Sequence, residues 1–276
     1  MNVVWGLLIV VATTAVAVTA LLLVRRRAPE GSYFEDGDRA AGVFGVLATG
    51  FSVLLGFIVF LAFTSYDQSR SGAEQEALVL LQQVENAQFF PKPSSNQLTG
   101  ELICYGRSVV NLEWARMRAG TQGDAINPWS IRLFRSLQTV RPVTATQQSA
   151  YDKWLDQTST REEARRDRIH GASGVIPTTL WIVLFFIAAV IFVFTLFFAD
   201  RAERKVVQGV LIGSVVSVIT VLMLLLNGLN KPFHSGVGGL EPVAMERSLR
   251  MIDAALGSIG ARVQVPCDAR GRALPS

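Results

Sequence analysis

Charged residues are scarce in this sequence: only 17% of its 276 residues are Asp, Glu, Lys or Arg, whereas half are hydrophobic. A soluble domain usually contains about 25% charged residues. Four stretches contain no Asp, Glu, Lys or Arg at all, namely 1–24, 40–66, 169–199 and 206–230. Each stretch reaches the roughly 20 residues that a helix needs to cross about 30 Å of hydrocarbon. The sequence therefore predicts an integral membrane protein with four spans.

The residues of metal and redox chemistry are equally rare, with two histidines and two cysteines in the whole chain. The cysteines have no CxxC spacing, and the sequence has neither a GxxxxGK[ST] phosphate loop nor a GxSxG nucleophile elbow. We therefore predict no metal, no cofactor and no catalytic residue, and expect that the protein is not an enzyme. The basic residues flank the hydrophobic stretches, so a nucleic acid partner is not expected either.

Basic residues in short loops mark the cytoplasmic side of a membrane protein. The loop after the first span carries Arg25, Arg26, Arg27 and Arg39, and the loop between spans three and four carries Arg201, Arg204 and Lys205. Both loops are therefore predicted to be cytoplasmic. In this topology the N-terminus and the segment 67–173 lie outside the cytoplasm, in a multi-pass protein of the plasma or inner membrane.

The two cysteines, Cys104 and Cys267, fall on the same extracytoplasmic side in this topology. Disulfides persist in such oxidising compartments. We predict a Cys104–Cys267 disulfide, and the alternative is a pair of unrelated buried thiols.

The predicted fold class is all-α, with four transmembrane helices arranged as two hairpins around a water-exposed helical domain, and the lipid bilayer is the first expected partner. The first hairpin covers 1–66, with spans at about 2–24 and 40–65, and the second covers 174–230, with spans at about 175–199 and 206–229. The helical domain occupies 67–173. The last segment, 231–276, is predicted to form an amphipathic helix followed by a loose tail, because apolar residues recur every three or four positions from Met245 to Ile259.

Within the helical domain, a helix over 67–90 is expected to continue from span two and to end at Pro91. A second helix is predicted to start near Ser95, a third to begin at Asn127, and a fourth to be capped by Thr144. The charged run at 161–168 is interpreted as the solvated face of this last helix. A site for anionic ligands or lipid headgroups is the alternative interpretation of that run.

Span two carries small or hydroxyl residues at helical spacing, and Gly209, Gly213 and Ser217 form a similar row in span four. Such rows favour close helix packing in lipid. The alternative is that span two lines a channel, with its small residues on neighbouring helices and its large apolar residues forming a neck. The span-two stripe consists of Ala41, Gly45, Thr49, Ser52 and Gly56.

Three strings give the sequence a family resemblance. They are GVFGVLATGFSVLLGFIVFLAFTSYDQS with the following AEQEALVL, then YGRSVVNLEWARM, and finally LNKPFHSGVGGLEPVAMERSL. The chain resembles the bacterial and plant bestrophin-like domain proteins over most of its length. Asn230 stands where the family pattern usually has Asp. The matching motif residues are Tyr66, Glu76, Tyr105, Glu113, Trp114, Pro232 and Phe233.

The resemblance implies a homo-oligomeric channel for chloride or other small anions, in which span two lines the pore. Phe51, Leu55 and Ile58 are then the candidates for the pore neck. The alternative function is a non-conducting, membrane-anchored sensor or interaction module. For the motif residues the first expectation is a structural role in holding the helical domain together, with Arg107 or Arg116 as the charge partner of Glu113.

Overall fold

The computed structural model describes residues 3–30, 33–121, 126–260 and 263–275. These residues form two compact units, one within 1–64, 175–230 and 235–238 and the other within 65–174, 231–234 and 239–276. The first is called the membrane unit here and the second the helical unit. Helix α2, Gly37–Ala87, contributes its first half to the membrane unit and its second half to the helical unit.

The membrane unit contains four helices that are long and apolar enough to cross a bilayer. They are α1 (Val3–Arg25), the first half of α2, α7 (Thr178–Leu196) and α8 (Lys205–Asn230). Their most apolar windows are only 11% to 22% buried within the chain, so most of their side chains face outward. A helix that is apolar on every side is suited to lipid as its solvent. The prediction of an all-helical membrane fold is confirmed.

Helices α1 and α8 pack closely through the small residues of α8. A Cβ atom added to Gly213 would lie 3.3 Å from Thr14 Cγ2, and one added to Gly209 would lie 3.6 Å from Val18 Cγ1. The predicted small-residue row of span four therefore serves packing within the chain, as such rows do in membranes.

Two polar contacts hold the ends of these helices. The Arg25 guanidinium, at the end of α1, donates hydrogen bonds to the backbone carbonyls of Asp200 (2.8 Å), Arg201 (2.9 Å) and Glu203. Asn230, at the end of α8, accepts hydrogen bonds from the backbone N–H groups of Val175 and Ile176 at 2.8 and 2.9 Å. An amide oxygen accepts these bonds without adding a charge near the membrane.

The helical unit contains the second half of α2 and six further helical segments, together with the C-terminal segment. The segments are α3 (Lys92–Ser108), a π-helical turn (Val109–Glu113), α4 (Trp114–Arg118), α5 (Pro128–Thr139), α6 (Ala145–His170) and α9 (Val243–Ser258). A 3₁₀ turn, Gly171–Ser173, follows α6. The helix start predicted at Asn127 and the cap predicted at Thr144 are confirmed, since both side chains accept hydrogen bonds, from the N–H groups of Trp129 and Gln147.

The start predicted for α3 is wrong. The helix begins at Lys92, three residues before Ser95, and Ser95 is buried inside its first turns. Proline is well tolerated in the first turn of a helix, because the N–H group that it lacks has no intrahelical acceptor there. The proline pair in PKP, Pro91 and Pro93, therefore starts a helix as well as ending one.

The C-terminal segment, expected to be a loose tail, is packed on the helical unit. The indole N–H of Trp129 donates to the carbonyl of Gly271 at 2.7 Å, and the N–H of Leu274 donates to Pro266 at 3.1 Å. Gly271 has a φ of +77°, and a Cβ atom there would come within 2.3 Å of the backbone nitrogen of Ser108. Only glycine allows this conformation and this approach without strain. The fold of this segment depends on contacts with distant helices, which its own composition does not reveal.

Candidate functional site

The face of α2 predicted to form a pore neck lies inside the chain's own bundle. Phe51, Leu55 and Ile58 are 4%, 2% and 2% exposed, and they pack in one cluster with Leu184 of α7 and Leu226 of α8. Side chains that line a pore between subunits must be open to solvent in a single subunit. In the single chain, helix α2 uses this face for packing within the bundle, which disfavours these three residues as the neck of a pore between subunits.

A different face of α2 is open along the whole membrane unit. Val46, Val53, Phe57 and Phe60 are 75%, 68%, 60% and 63% exposed, and they recur at intervals of seven, four and three residues. This spacing places them on one side of a helix, opposite the buried cluster. We call these four residues the open face of α2.

The small-residue stripe of α2 lies beside the open face, and its glycines at 45 and 56 contact no other helix in the described part of the chain. Gly45, Thr49, Ser52 and Gly56 are all exposed, and no atom lies within 4 Å of a Cβ added to Gly45 or Gly56. The stripe thus differs from the row in α8, whose glycines contact α1.

The helical unit contains a buried cluster of charged residues, which we call the charge cluster. Arg168 of α6 is fully buried and lies between two carboxylates. Its guanidinium forms an ion pair with Glu76 of α2, and its Nη2 atom lies 2.6 Å from Oε2 of Glu113 in the π-helical turn. Arg165 reaches the same Glu113 carboxylate at 3.2 Å, and Asn127 donates to it at 2.9 Å. Glu113 is therefore balanced by two arginines of α6, and not by the expected Arg107 or Arg116.

Four of the motif residues meet in the charge cluster, because Tyr105 and Trp114 join Glu76 and Glu113 there. The Tyr105 hydroxyl donates to Glu76 Oε1 at 2.5 Å, and the Arg168 guanidinium lies 5.6 Å from the centre of the Trp114 ring. Trp114 also contacts the Phe233 ring edge-on at 5.4 Å and donates its indole N–H to the carbonyl of Leu240. Elsewhere in the unit, Tyr66 packs at the edge of the core, and the carbonyl of Pro232 accepts from the N–H of Leu240 at 2.7 Å.

The charge cluster also sets the protonation of its members. Burial alone would raise the pKa of Glu113, but the charges and hydrogen bonds of Arg168 and Arg165 outweigh it and hold the pKa below its ordinary value. Burial would lower the pKa of Arg168, whereas Glu76 and Glu113 raise it. Burial, reinforced by the Glu76 carboxylate, raises the pKa of Tyr105 well above its ordinary value. At neutral pH Glu113 and Arg168 are thus ionised, and Tyr105 is neutral.

The interpretation of 161–168 as a solvated face is wrong for three of its four arginines. Arg161, Arg165 and Arg168 are 1%, 8% and 0% exposed. Arg161 donates to Gln83 at 2.6 Å and lies 4.9 Å from the centre of the Tyr105 ring. The signal for this burial is the spacing of these arginines, four and then three residues apart, which continues the inward row of Trp154 and Gln157 along α6.

A close approach of α2 and α6 makes this arrangement feasible. A Cβ atom at Gly72 would lie 2.5 Å from the backbone nitrogen of Arg168 and 2.7 Å from the carbonyl oxygen of Ala164. Glycine at position 72 therefore lets the two backbones meet.

The structure joins Cys104 of α3 to Cys267 of the C-terminal segment by a disulfide, with a Cα–Cα distance of 5.8 Å across 163 residues of chain. The bond lies in the core of the helical unit, since the two cysteines are 0% and 5% exposed. Among the residues described here, no group of three or more His, Cys, Asp and Glu side chains is placed to hold a metal ion.

These features define an all-helical membrane protein with four apolar spans and a helical unit organised around buried ion pairs. The model of the bestrophin-like domain matches residues 3–245. The chain therefore belongs to the bestrophin-like family. No curated protein sequence matches it.

Solved structures share the fold at low sequence identity. A bacterial bestrophin homologue from Klebsiella pneumoniae has a TM-score of 0.66 and 12% identity, over 95% of this chain and 100% of that chain. A point mutant of the Klebsiella homologue gives a TM-score of 0.64 at 12% identity, over 92% and 99% of the two chains. A further crystal structure of a membrane protein gives 0.67 at 10% identity, over 95% and 100%.

Proposed function

We propose that the protein is a homo-oligomeric anion channel in which the open face of α2 lines a pore shared between subunits. The observation that carries this proposal is the exposed row of Val46, Val53, Phe57 and Phe60, opposite a face that is already packed within the chain. One four-span subunit is too small to enclose a wide pore, so several copies must contribute α2. Membership of the bestrophin-like family supports the same arrangement.

The neck of this pore consists of Val53, Phe57 and Phe60. Large apolar side chains around an axis form a constriction that can gate by dewetting, without any charged group. The small-residue stripe next to the open face gives a neighbouring subunit room for close helix packing. This arrangement keeps the idea of an apolar neck on span two and moves it to the opposite side of the helix.

The basic loops support an orientation with the N-terminus and the helical unit outside the cytoplasm. Arg25 and Arg201 belong to the two short loops that the positive-inside rule assigns to the cytoplasm. A buried disulfide in the helical unit agrees with an oxidising compartment on the other side. The permeating species of this proposal are chloride and other small anions.

The test is chloride flux from liposomes that contain the purified protein, with Phe57→Ala and Phe51→Ala as a matched pair. Phe57→Ala widens the proposed neck, so we expect faster flux and an unchanged melting temperature. Phe51→Ala removes a buried ring from the bundle, so we expect a lower melting temperature and no widening of the pore. Unchanged flux in Phe57→Ala, or faster flux in Phe51→Ala, contradicts the proposed neck.

A non-conducting, membrane-anchored interaction module is the second candidate function. The observation that favours it is the helical unit itself. Buried ion pairs and a disulfide hold the helices of this unit together, and a pore does not require them. Molecular mass in mild detergent separates the two candidates. A monomer or dimer without flux favours the module, whereas a ring-shaped oligomer with anion flux favours the channel.

A further inference from the structure

An apolar cavity of about 780 Å³ lies between helices α1, α7 and α8 of the membrane unit. None of its lining residues is Asp, Glu, Lys, Arg or His. Residues from all three helices contribute to its wall, among them Thr13, Ala17, Trp181, Ala188, Val216 and Asn227. The cavity is open toward the outer surface of the unit, where Val16 and Phe185 are 68% and 60% exposed.

The length of the cavity corresponds to one leaflet of a bilayer. Its lining on α8 runs from Val215 to Asn227. At 1.5 Å per residue this distance is about 18 Å along the helix. The hydrocarbon core of a bilayer is about 30 Å thick, so the cavity spans roughly half of it. An occupant that follows the helices therefore has the length of a single extended acyl chain.

The polar groups in the middle of the cavity are already used. The Thr13 and Thr220 hydroxyl oxygens lie 3.2 Å apart. Each hydroxyl also has a backbone acceptor on its own helix, Ile9 at 2.9 Å for Thr13 and Val216 at 2.8 Å for Thr220. The middle of the cavity thus offers little to an ion or a polar ligand, and apolar cavities do not hold water stably.

The end of the cavity differs from its middle in chemistry. Trp181 lies in the first turn of α7, and Asn227 lies one turn before the end of α8. Tryptophan is enriched at the level of lipid headgroups, because its ring is apolar and its N–H group is a donor. The Asn227 amide supplies further donors at the same end. These two side chains suit the ester carbonyl oxygens of a glycerolipid, which are acceptors without a charge.

We propose that this cavity binds one acyl chain of a bilayer phospholipid. The chain lies along α1, α7 and α8, and its glycerol ester end meets Trp181 and Asn227. This site is separate from the open face of α2, so the proposal does not depend on ion conduction.

The experiment is native mass spectrometry of the full-length protein purified in mild detergent, with Ala188→Phe and Ala189→Phe as a matched pair. Ala188 lines the cavity, whereas its neighbour Ala189 is exposed and lies outside the lining. We expect the wild-type protein and Ala189→Phe to retain one phospholipid per chain. In Ala188→Phe the retained fraction should fall by about tenfold, which corresponds to about 1.4 kcal/mol of binding free energy. Circular dichroism of both variants checks that they are folded.

Three results overturn the proposal. Equal phospholipid retention in both variants means that the lipid binds elsewhere on the surface. Retention of a free fatty acid in place of a phospholipid excludes the proposed source of the chain. A change in oligomer mass in Ala188→Phe without loss of lipid means that a helix of another subunit fills the cavity.

Discussion

The two units of this protein achieve a defined structure by opposite means. The membrane unit leaves most of its apolar surface outside and buries few side chains, while the polar contacts noted above lie at helix ends. The helical unit buries whole charged groups, with Arg168 fully enclosed between Glu76 and Glu113. In lipid, the specific packing of one helix on another depends on shape and on small residues, because apolar contact with a helix is no more favourable than apolar contact with lipid. In water, hydrophobic burial drives folding, and the buried charges fix which helix faces meet.

The largest expected effect is the loss of a charge from the helical unit. Arg168→Met leaves Glu76 and Glu113 buried with one arginine fewer, so we expect the free energy of unfolding to fall by about 3–5 kcal/mol. Arg70→Met is the matched control, because Arg70 pairs with Glu74 on the surface, where both side chains are 60% exposed. Such an exposed pair contributes at most about 0.5 kcal/mol. Denaturant unfolding followed by tryptophan fluorescence measures the free energy of unfolding of both variants. An equal loss in Arg168→Met and Arg70→Met would contradict the distinction between buried and surface pairs.

The disulfide gives the next largest effect. Removing a native disulfide typically costs about 2–5 kcal/mol, since the unfolded chain gains freedom. We expect the Cys104→Ala/Cys267→Ala double variant to unfold at lower denaturant concentration and to expose the Trp129 ring, which the C-terminal segment covers. Reductant should destabilise the wild-type protein and leave the double variant unchanged. Thiol labelling of both cysteines in the non-reduced protein would contradict the bond.

A smaller effect compares the two small-residue rows of the membrane unit. Gly213→Val places a side chain against Thr14 and Val18, and overpacking of this kind costs about 1–3 kcal/mol. A Cβ atom at Gly45 has no atom of another helix within 4 Å, so for Gly45→Val we expect an unchanged melting temperature of the isolated subunit and a reduced oligomer mass. Thermal unfolding and light scattering in detergent measure the two quantities. A drop in melting temperature without any change in mass for Gly45→Val would show that its face packs within the chain.

The smallest expected effect is a pH dependence confined to the helical unit. Arg168 and Arg165 hold the pKa of Glu113 below its unfolded value of about 4.3. A depressed pKa stabilises the fold above the unfolded pKa, and this contribution is lost as the pH falls through the folded value. We therefore expect the free energy of unfolding to decrease below about pH 4. Glu113→Gln should flatten this decrease, and the exposed control Glu74→Gln should leave it in place.

Local signals predicted much of the helical unit. Asn127 and Thr144 are caps because their side chains satisfy N–H groups within three residues, which is information that the adjacent sequence contains. The family motifs contain Glu76, Tyr105 and Glu113, and these three residues do meet in the charge cluster. Their arginine partners come from a helix more than 50 residues further along the chain, and no local rule links them.

The sequence by itself determined the four spans, because a helix of about 20 uncharged apolar residues is long enough to cross the hydrocarbon core and is stable there. It also determined that the chain is helical throughout its spans, since each backbone group in lipid needs a partner within the same segment. Only the tertiary structure decided which face of α2 is buried, because apolar side chains occur on both sides of this helix and packing against α7 and α8 selects one. It likewise decided that Arg161, Arg165 and Arg168 are buried: whether a charge faces water depends on the carboxylates that other helices bring to it.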